Sequence, residues 1–278
     1  MYPHAQRTLD ILEVLAEAPD GLALSAIGAR LALPKSAAHR LLAGLCERGF
    51  ARQMPTSQHY ALTLKLAALA FRHLAATRLE EICQPVLDRL AVDSGELARL
   101  AVVEGQRMTW VAKAQGAHSG LRYDANAGRD VVLHATAVGK VWLASLSEAE
   151  ALAIVARTGL PRTDTLGPRA VRTLAALRQQ LRATRRRGYG EAVDEGEPGV
   201  AAVAAAIRAF PAPDAPVVGT ISIAGPMTRM NPVRRATVVK ELLAAATELT
   251  AVWPVREQHR RATGVPTLRI EGETADVL

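Results

Sequence analysis

The chain has 278 residues, 49% apolar, 22% charged and 4% aromatic, enough for one large domain or two ordinary ones with cores of their own. A disordered tail protein and a short disulfide-stapled peptide are thereby excluded. Thirty-four Lys and Arg against 27 Asp and Glu leave +7, an excess that suits a polyanion partner and is sharpest where Arg30, Lys35, Arg40, Arg48 and Arg52 face only Glu47.

The first helix is predicted from the stripe Leu9, Leu12, Leu15 and Ala16, and Ala18-Pro19-Asp20-Gly21 stops it. Ser25 is positioned to cap a second short helix, broken at Leu33-Pro34 because the residue before proline leaves helical geometry. Pro34 opens a third helix that buries Ala38, Leu41, Leu42 and Leu45 and ends at Gly49. Period-two alternation in residues 50–54 and 59–62 around Pro55-Thr56-Ser57-Gln58 predicts a hairpin. Three helices followed by a hairpin make a winged helix–turn–helix. Residues 64–77 are apolar on more than one face, as expected of a linker helix that also pairs with a second subunit.

Beyond residue 78 a helix around Ile82, Val86, Leu87 and Leu90 precedes strand-like runs at 97–103 and 108–114, a short run at 120–124, a loop to 130 and Val131-Val132-Leu133. Helices are predicted at 137–145, 148–157 and 169–187, antiparallel strands at 200–207 and 217–223, and a last helix at 233–252. Strands at both ends of a helical middle give an α+β domain with an antiparallel sheet, suited to enclosing a small ligand. Cys46 and Cys83 lack any C-x-x-C spacing and the seven histidines are scattered, so no disulfide, metal site or cofactor is expected. No uncharged apolar run reaches the ~18 residues a membrane helix needs, and His4, Arg7 and Asp10 occupy the place of a signal core. A cytoplasmic protein is the expectation.

The stretches Arg7-Thr8-Leu9-Asp10-Ile11-Leu12, Leu33-Pro34-Lys35-Ser36-Ala37-Ala38-His39-Arg40-Leu41-Leu42, Leu133-His134-Ala135-Thr136-Ala137-Val138-Gly139-Lys140, Arg187-Gly188-Tyr189-Gly190 and Ile221-Ser222-Ile223-Ala224-Gly225-Pro226 resemble, in order and spacing, the IclR family of bacterial transcription regulators. The resemblance implies a winged helix–turn–helix over residues 1–62, a linker helix over 63–77 and a GAF-like effector-binding domain over 78–255. Residues 256–278 are read as a flexible tail. It further implies double-stranded operator DNA as partner, and homodimers that pair into homotetramers.

On this reading the third helix carries Lys35, Ser36, Ala37, His39 and Arg40 to DNA, helped by Ser25 and by the wing residues Arg52, Gln53 and His59. Arg40 is the base-reading candidate, while Lys35 and Arg52 are placed on phosphate. One such module offers few contacts, so a dimer on a pseudo-palindrome is expected.

Thr136-Ala137-Val138-Gly139 is a strand-to-helix junction whose free N–H groups favour an anion. Opposite it, the family register places Ala192, Ala202, Ser222 and Ala224, with Trp110 and Leu121 as apolar lining. Three of those four register positions are alanine. An aromatic or longer organic acid is therefore expected in preference to a two- or three-carbon one. Arg122, Tyr123 and His134 are polar candidates nearby, and Asp194, Glu195 and Glu197 are expected on a solvated loop. Arg185-Arg186-Arg187 is expected to decorate a helix end.

The rival reading is an enzyme acting on a small organic acid through the C-terminal domain. It lacks a Ser or Cys elbow before a helix, and Cys83 falls ahead of the sheet. A DNA-binding module whose C-terminal half only oligomerises is a third.

Overall fold

Turn residues partition the first fifty positions. The computed structural model describes residues 3–118, 120–124, 128, 130–160 and 166–253, and its first three helices are α1 (Pro3–Ala16), α2 (Leu24–Arg30) and α3 (Lys35–Glu47). Gly21, at φ +76°, closes the turn after α1 by donating to Ala18 O at 2.9 Å. Pro34 is the extended N-cap of α3. Strands β1 (Ala51–Gln53) and β2 (Tyr60–Leu62) pair antiparallel as the wing. Ile11, Leu15, Ile27, Ala38, Leu42, Leu45 and Tyr60 form their shared core.

Two local expectations are corrected here. Leu9 is 57% exposed and Ile11 is fully buried, because α1 turns its Ile11 and Leu15 pair, four residues apart, to the core. Helix α2 starts at Leu24, with Ala23 as N-cap and no side-chain cap, so Ser25 lies exposed in the first turn.

Helix α4 (Lys65–Thr77) buries none of its residues, and Leu66, Leu69 and Phe71 stay open to solvent. It ends at Arg78, held at φ +51°, and the chain divides between Arg78 and Leu79 into two compact units.

The second unit is a sheet covered on both faces. Its elements are α5 (Leu79–Ser94), β3 (Leu97–Glu104), β4 (Arg107–Gln115), α6 (Ala137–Ser145), α7 (Glu148–Thr158), α8 (Leu174–Arg187), β5 (Gly190–Val193), β6 (Val200–Arg208), β7 (Val217–Pro226) and α9 (Pro232–Val252). The strand order is β4-β3-β7-β6-β5, antiparallel throughout. Ala98, Leu100, Val203, Ile221 and Ile223 pack on α5 and α9. Ala101, Trp110, Ala192 and Ala204 face the α6, α7 and α8 side. Because both faces are covered, β6 reads as a continuous apolar run instead of an alternation.

Helix α8 begins at Leu174, capped by Thr173, and not at residue 169 as expected. The segment before it is held elsewhere: Gly167 and Arg169 donate to the carbonyls of Glu195 and Asp194 at 2.8 and 2.9 Å. Strand β5 lies where the sequence predicts no strand: its four residues follow a basic helix end and pair with β6. Arg185 does more than decorate α8, since it donates to Ala144 O at 2.7 Å and Leu146 O at 2.6 Å and so serves the free carbonyls ending α6. The expected tail at 256–278 lies outside the described residues.

Candidate functional site

Helix α3 presents Lys35, Ser36, His39 and Arg40 to solvent along one side, with Ala37 half-buried beneath them. Burial of Ala38, Leu42 and Leu45 sets that orientation. Among the described residues Lys35, Arg40 and Arg52 have no acidic partner, leaving their charge for a polyanion. The wing is more occupied: Gln53 Nε2 donates to the carbonyl and side-chain oxygens of Gln58, both at 3.1 Å, which stiffens the turn. His59 is half-buried and its N–H is held by Ser57 Oγ at 3.3 Å.

In the second unit a cavity of about 600 Å³ opens between the sheet and α6. Ala192, Ala202, Ser222 and Ala224 form its floor, on β5, β6 and β7. Ala192 pairs with Ala202 and Ala202 with Ala224 across neighbouring strands, so three methyl groups lie in one row. Residues 135–138 form the helix-start wall, and Trp110 stands on the β4 side.

The helix start is a capped turn with two donors to spare. Thr136 is an extended N-cap whose Oγ1 accepts from Gly139 N at 3.2 Å, and its carbonyl accepts from Lys140 N at 3.0 Å. The N–H groups of Ala137 and Val138 have no partner among the described residues, and both residues line the cavity. Gly139 lies behind the wall, where the backbone of Leu133 leaves no room for a Cβ. It is closely packed there and is not among the residues that line the cavity.

The structure corrects other site expectations. Leu121 is 69% exposed and is not among the described residues that line the cavity; its carbonyl accepts from Arg229 Nη1 at 2.6 Å. Arg122 is exposed beside Asp124, at 3.7 Å. His134 is buried away from the cavity, against a smaller one of about 200 Å³, with Nε2 unpartnered. Burial and Lys140 push its pKa down.

The acidic loop is not simply solvated. Glu195 is 6% exposed and receives Lys140 Nζ at 2.6 and 2.7 Å, while Lys140, 1% exposed, also donates to Glu191 O at 3.0 Å. Asp194 closes a turn by accepting from Gly199 N at 2.7 Å. Glu197 does lie exposed, yet it lines the cavity and receives the Tyr123 hydroxyl at 2.9 Å. Burial and Glu197 push the Tyr123 pKa up, keeping it a phenol.

Arg99 was missed altogether. It lies in the cavity wall, 7% exposed, with Cζ 3.3 Å from the centre of the Trp110 ring. The available signal was a lone cation within the apolar run 97–103.

The family model described as IclR helix-turn-helix domain matches residues 5–55. That described as bacterial transcriptional regulator IclR C-terminal matches residues 71–251. The chain is 30% identical to the transcriptional repressor IclR of Escherichia coli over 252 residues, covering 89% of this chain and 88% of the relative. It is 31% identical over 248 residues to the HTH-type transcriptional regulator BhcR of Paracoccus denitrificans, covering 88% and 85%. A solved IclR homologue from Microbacterium hydrocarbonoxydans, in complex with 4-hydroxybenzoate, superposes with a TM-score of 0.73 at 26% identity, covering 91% of this chain and 99% of that one. These relatives are transcriptional regulators, and the enzyme reading finds no support among them. No helix among the described residues is long and apolar enough to cross a membrane. A DNA-binding helix–turn–helix and a sheet domain that holds a cavity, each matched by its own model, lead to one assignment: the chain belongs to the IclR family of bacterial transcriptional regulators.

Proposed function

We propose that this regulator grips a pseudo-palindromic operator as a dimer and that a small carboxylic acid in the sheet-domain cavity controls the grip. The observation that carries the effector half is the pair of unengaged N–H groups on Ala137 and Val138, at the positive end of α6 and opening into a cavity floored by alanine. The 4-hydroxybenzoate held by the Microbacterium homologue is an acid of the same kind. An apolar floor favours an aromatic or longer acid, because a two-carbon acid has too little apolar surface to cover it.

The DNA half rests on the exposed cations of α3 and the wing. Arg40 reads a base edge; Lys35 and Arg52 hold phosphate; Ser25, Ser36, Ala37, His39, Gln53 and His59 fill the interface around them. The apolar side chains that α4 leaves exposed, Leu66, Leu69 and Phe71, suit pairing with a second copy and further association into tetramers. Residues 1–62 then serve as DNA-binding domain, 63–77 as linker and 78–255 as effector domain. For the acid to act, it must bind one arrangement of the dimer more tightly than the other.

Ala137→Pro tests this. Thr136 is already extended (φ −111°, ψ 150°), as a residue before proline must be, and the first helical position tolerates proline. The variant lacks one anion-binding N–H and keeps α6. Fluorescence anisotropy on the duplex upstream of its own gene should show benzoate or 4-hydroxybenzoate shifting wild-type binding. The variant should bind DNA unchanged and need about tenfold more acid. An equal acid response in both proteins, or no preference of the wild type over scrambled duplex, overturns the proposal.

A further inference from the structure

The wall of the cavity formed by β3 carries a buried cation that the reading above leaves unused. Arg99 lines the cavity at 7% exposure, flat against Trp110. Among the described residues no carboxylate lies within ion-pairing distance of it. The polar groups that act on it are the Tyr123 hydroxyl, Glu197 and Asp124. Arg99 pairs with Ser222 on the neighbouring strand; Ser222 lines the same cavity, and its buried Oγ has no hydrogen-bond partner among the described residues.

Both groups are costly as they stand. A desolvated guanidinium lacks its counter-ion and a desolvated hydroxyl lacks its hydrogen bond, and each is relieved by a group that accepts hydrogen bonds and carries negative charge. Glu197 and Asp124 act on the Arg99 charge from a distance, but among the described residues no acidic side chain around the cavity pairs with it. Asp124 is held by Lys113 at 2.7 Å and faces Arg122, Asp130 stands 3.8 Å from Arg107, and Glu197 is solvent-exposed and engaged by Tyr123.

The span between the two ends follows from the sheet. Gly190 of β5 lies directly beneath the Ala137 carbonyl, so the start of α6 sits over β5. From β5 through β6 and β7 to β3 are three strand spacings, about 14 Å in all. Allowing about 3 Å for a hydrogen bond at each end leaves about 8 Å for the ligand. Beside the line from Gly190 to Arg99, two residues along each strand, runs the row Ala192, Ala202 and Ala224, a methyl surface on which a ring or an extended chain can rest.

We propose that Arg99 and Ser222 form a second anion-binding end of this cavity, so that the effector is a dicarboxylic acid. One carboxylate meets the N–H groups of Ala137 and Val138, the other takes two hydrogen bonds from the Arg99 guanidinium and one from Ser222, and the apolar middle lies on the alanine row. This rests on the proposal that the cavity binds an acid.

Calorimetric titration of the full chain with terephthalate, adipate, benzoate and 4-hydroxybenzoate tests it. Wild type should bind at least one of the two diacids about tenfold or more tighter than benzoate, the scale of a charge-assisted hydrogen-bonded pair. Arg99→Gln should abolish that preference while leaving benzoate affinity within about threefold, and Ser222→Ala, which leaves the charge in place, should reduce the preference severalfold. Ala137→Pro should weaken mono- and diacids alike. Wild-type protein that binds benzoate as tightly as both diacids, or an Arg99→Gln or Ser222→Ala variant that retains the full preference, refutes the second end and leaves the acid-effector reading standing. Wild-type protein that binds none of the four refutes both. Because the wild-type comparison needs no variant, the outcome holds even if Arg99→Gln fails to fold.

Discussion

Replacing Lys140 by Met removes the charge from a side chain that is 1% exposed while keeping most of its volume. Glu195, 6% exposed, then loses contacts of 2.6 and 2.7 Å and is left in a dry site without its cation. Removing one partner of a buried pair costs about 3–5 kcal/mol, chiefly for the charge left behind. Set against about 5–15 kcal/mol for a whole domain, that is a large share of what holds the sheet unit together. At about 2–4 °C per kcal/mol for a unit of this size, the melting temperature should fall by about 6–20 °C. Differential scanning calorimetry of the full chain reads it, as two compact units allow separate transitions. The double variant Lys140→Met, Glu195→Leu should regain most of the loss, because no unpaired charge stays behind. A fall below about 2 °C for Lys140→Met, or a double variant as unstable as the sum of the single ones, would refute the reasoning.

Two further outcomes can be checked. On operator DNA, Arg40→Ala should narrow the gap between operator and random duplex, whereas Lys35→Ala should weaken both alike and flatten the salt slope by about one, measured by anisotropy across a salt series. His134 takes up its proton less readily when folded than unfolded, because burial and Lys140 oppose the charge. The unfolded chain therefore binds more protons as pH falls through about 6.5 toward the lower folded value, and stability drops over that window by at most about 1.4 kcal/mol per pH unit. Urea unfolding at pH 7 and 5.5 should show a smaller loss for His134→Gln than for wild type; identical losses would remove His134 from the account.

Much of the fold was legible because its signals are local. The Leu33-Pro34 break, the glycine that ends the third helix and the four-residue wing turn act through backbone geometry within a few residues, and each appears where expected. The start of α6 at Ala137 and its end at Ser145 are readable for the same reason, from a junction of small residues followed by an apolar run. Of the expected cavity residues, Trp110, Thr136, Ala137, Val138, Ala192, Ala202, Ser222 and Ala224 do line one cavity. Leu121 does not, since nothing in an apolar residue on a loop says whether the loop folds it inward.

The features that give the cavity its chemistry have no local trace. Arg99 reads as one charge in a strand and could as easily face water; it is buried because β3 lies inside the sheet, between β4 and β7. Lys140 and Glu195 are 55 positions apart, and neither residue type predicts a buried partner at that separation. Strand β5 exists because β6 offers it an edge. Periodicity, caps and turns act over one or two turns of chain and reveal themselves in the residues that make them. Which charge is desolvated, and what it meets there, depends on segments far apart in the chain packing together, and that is set by the assembled sheet and its covering helices.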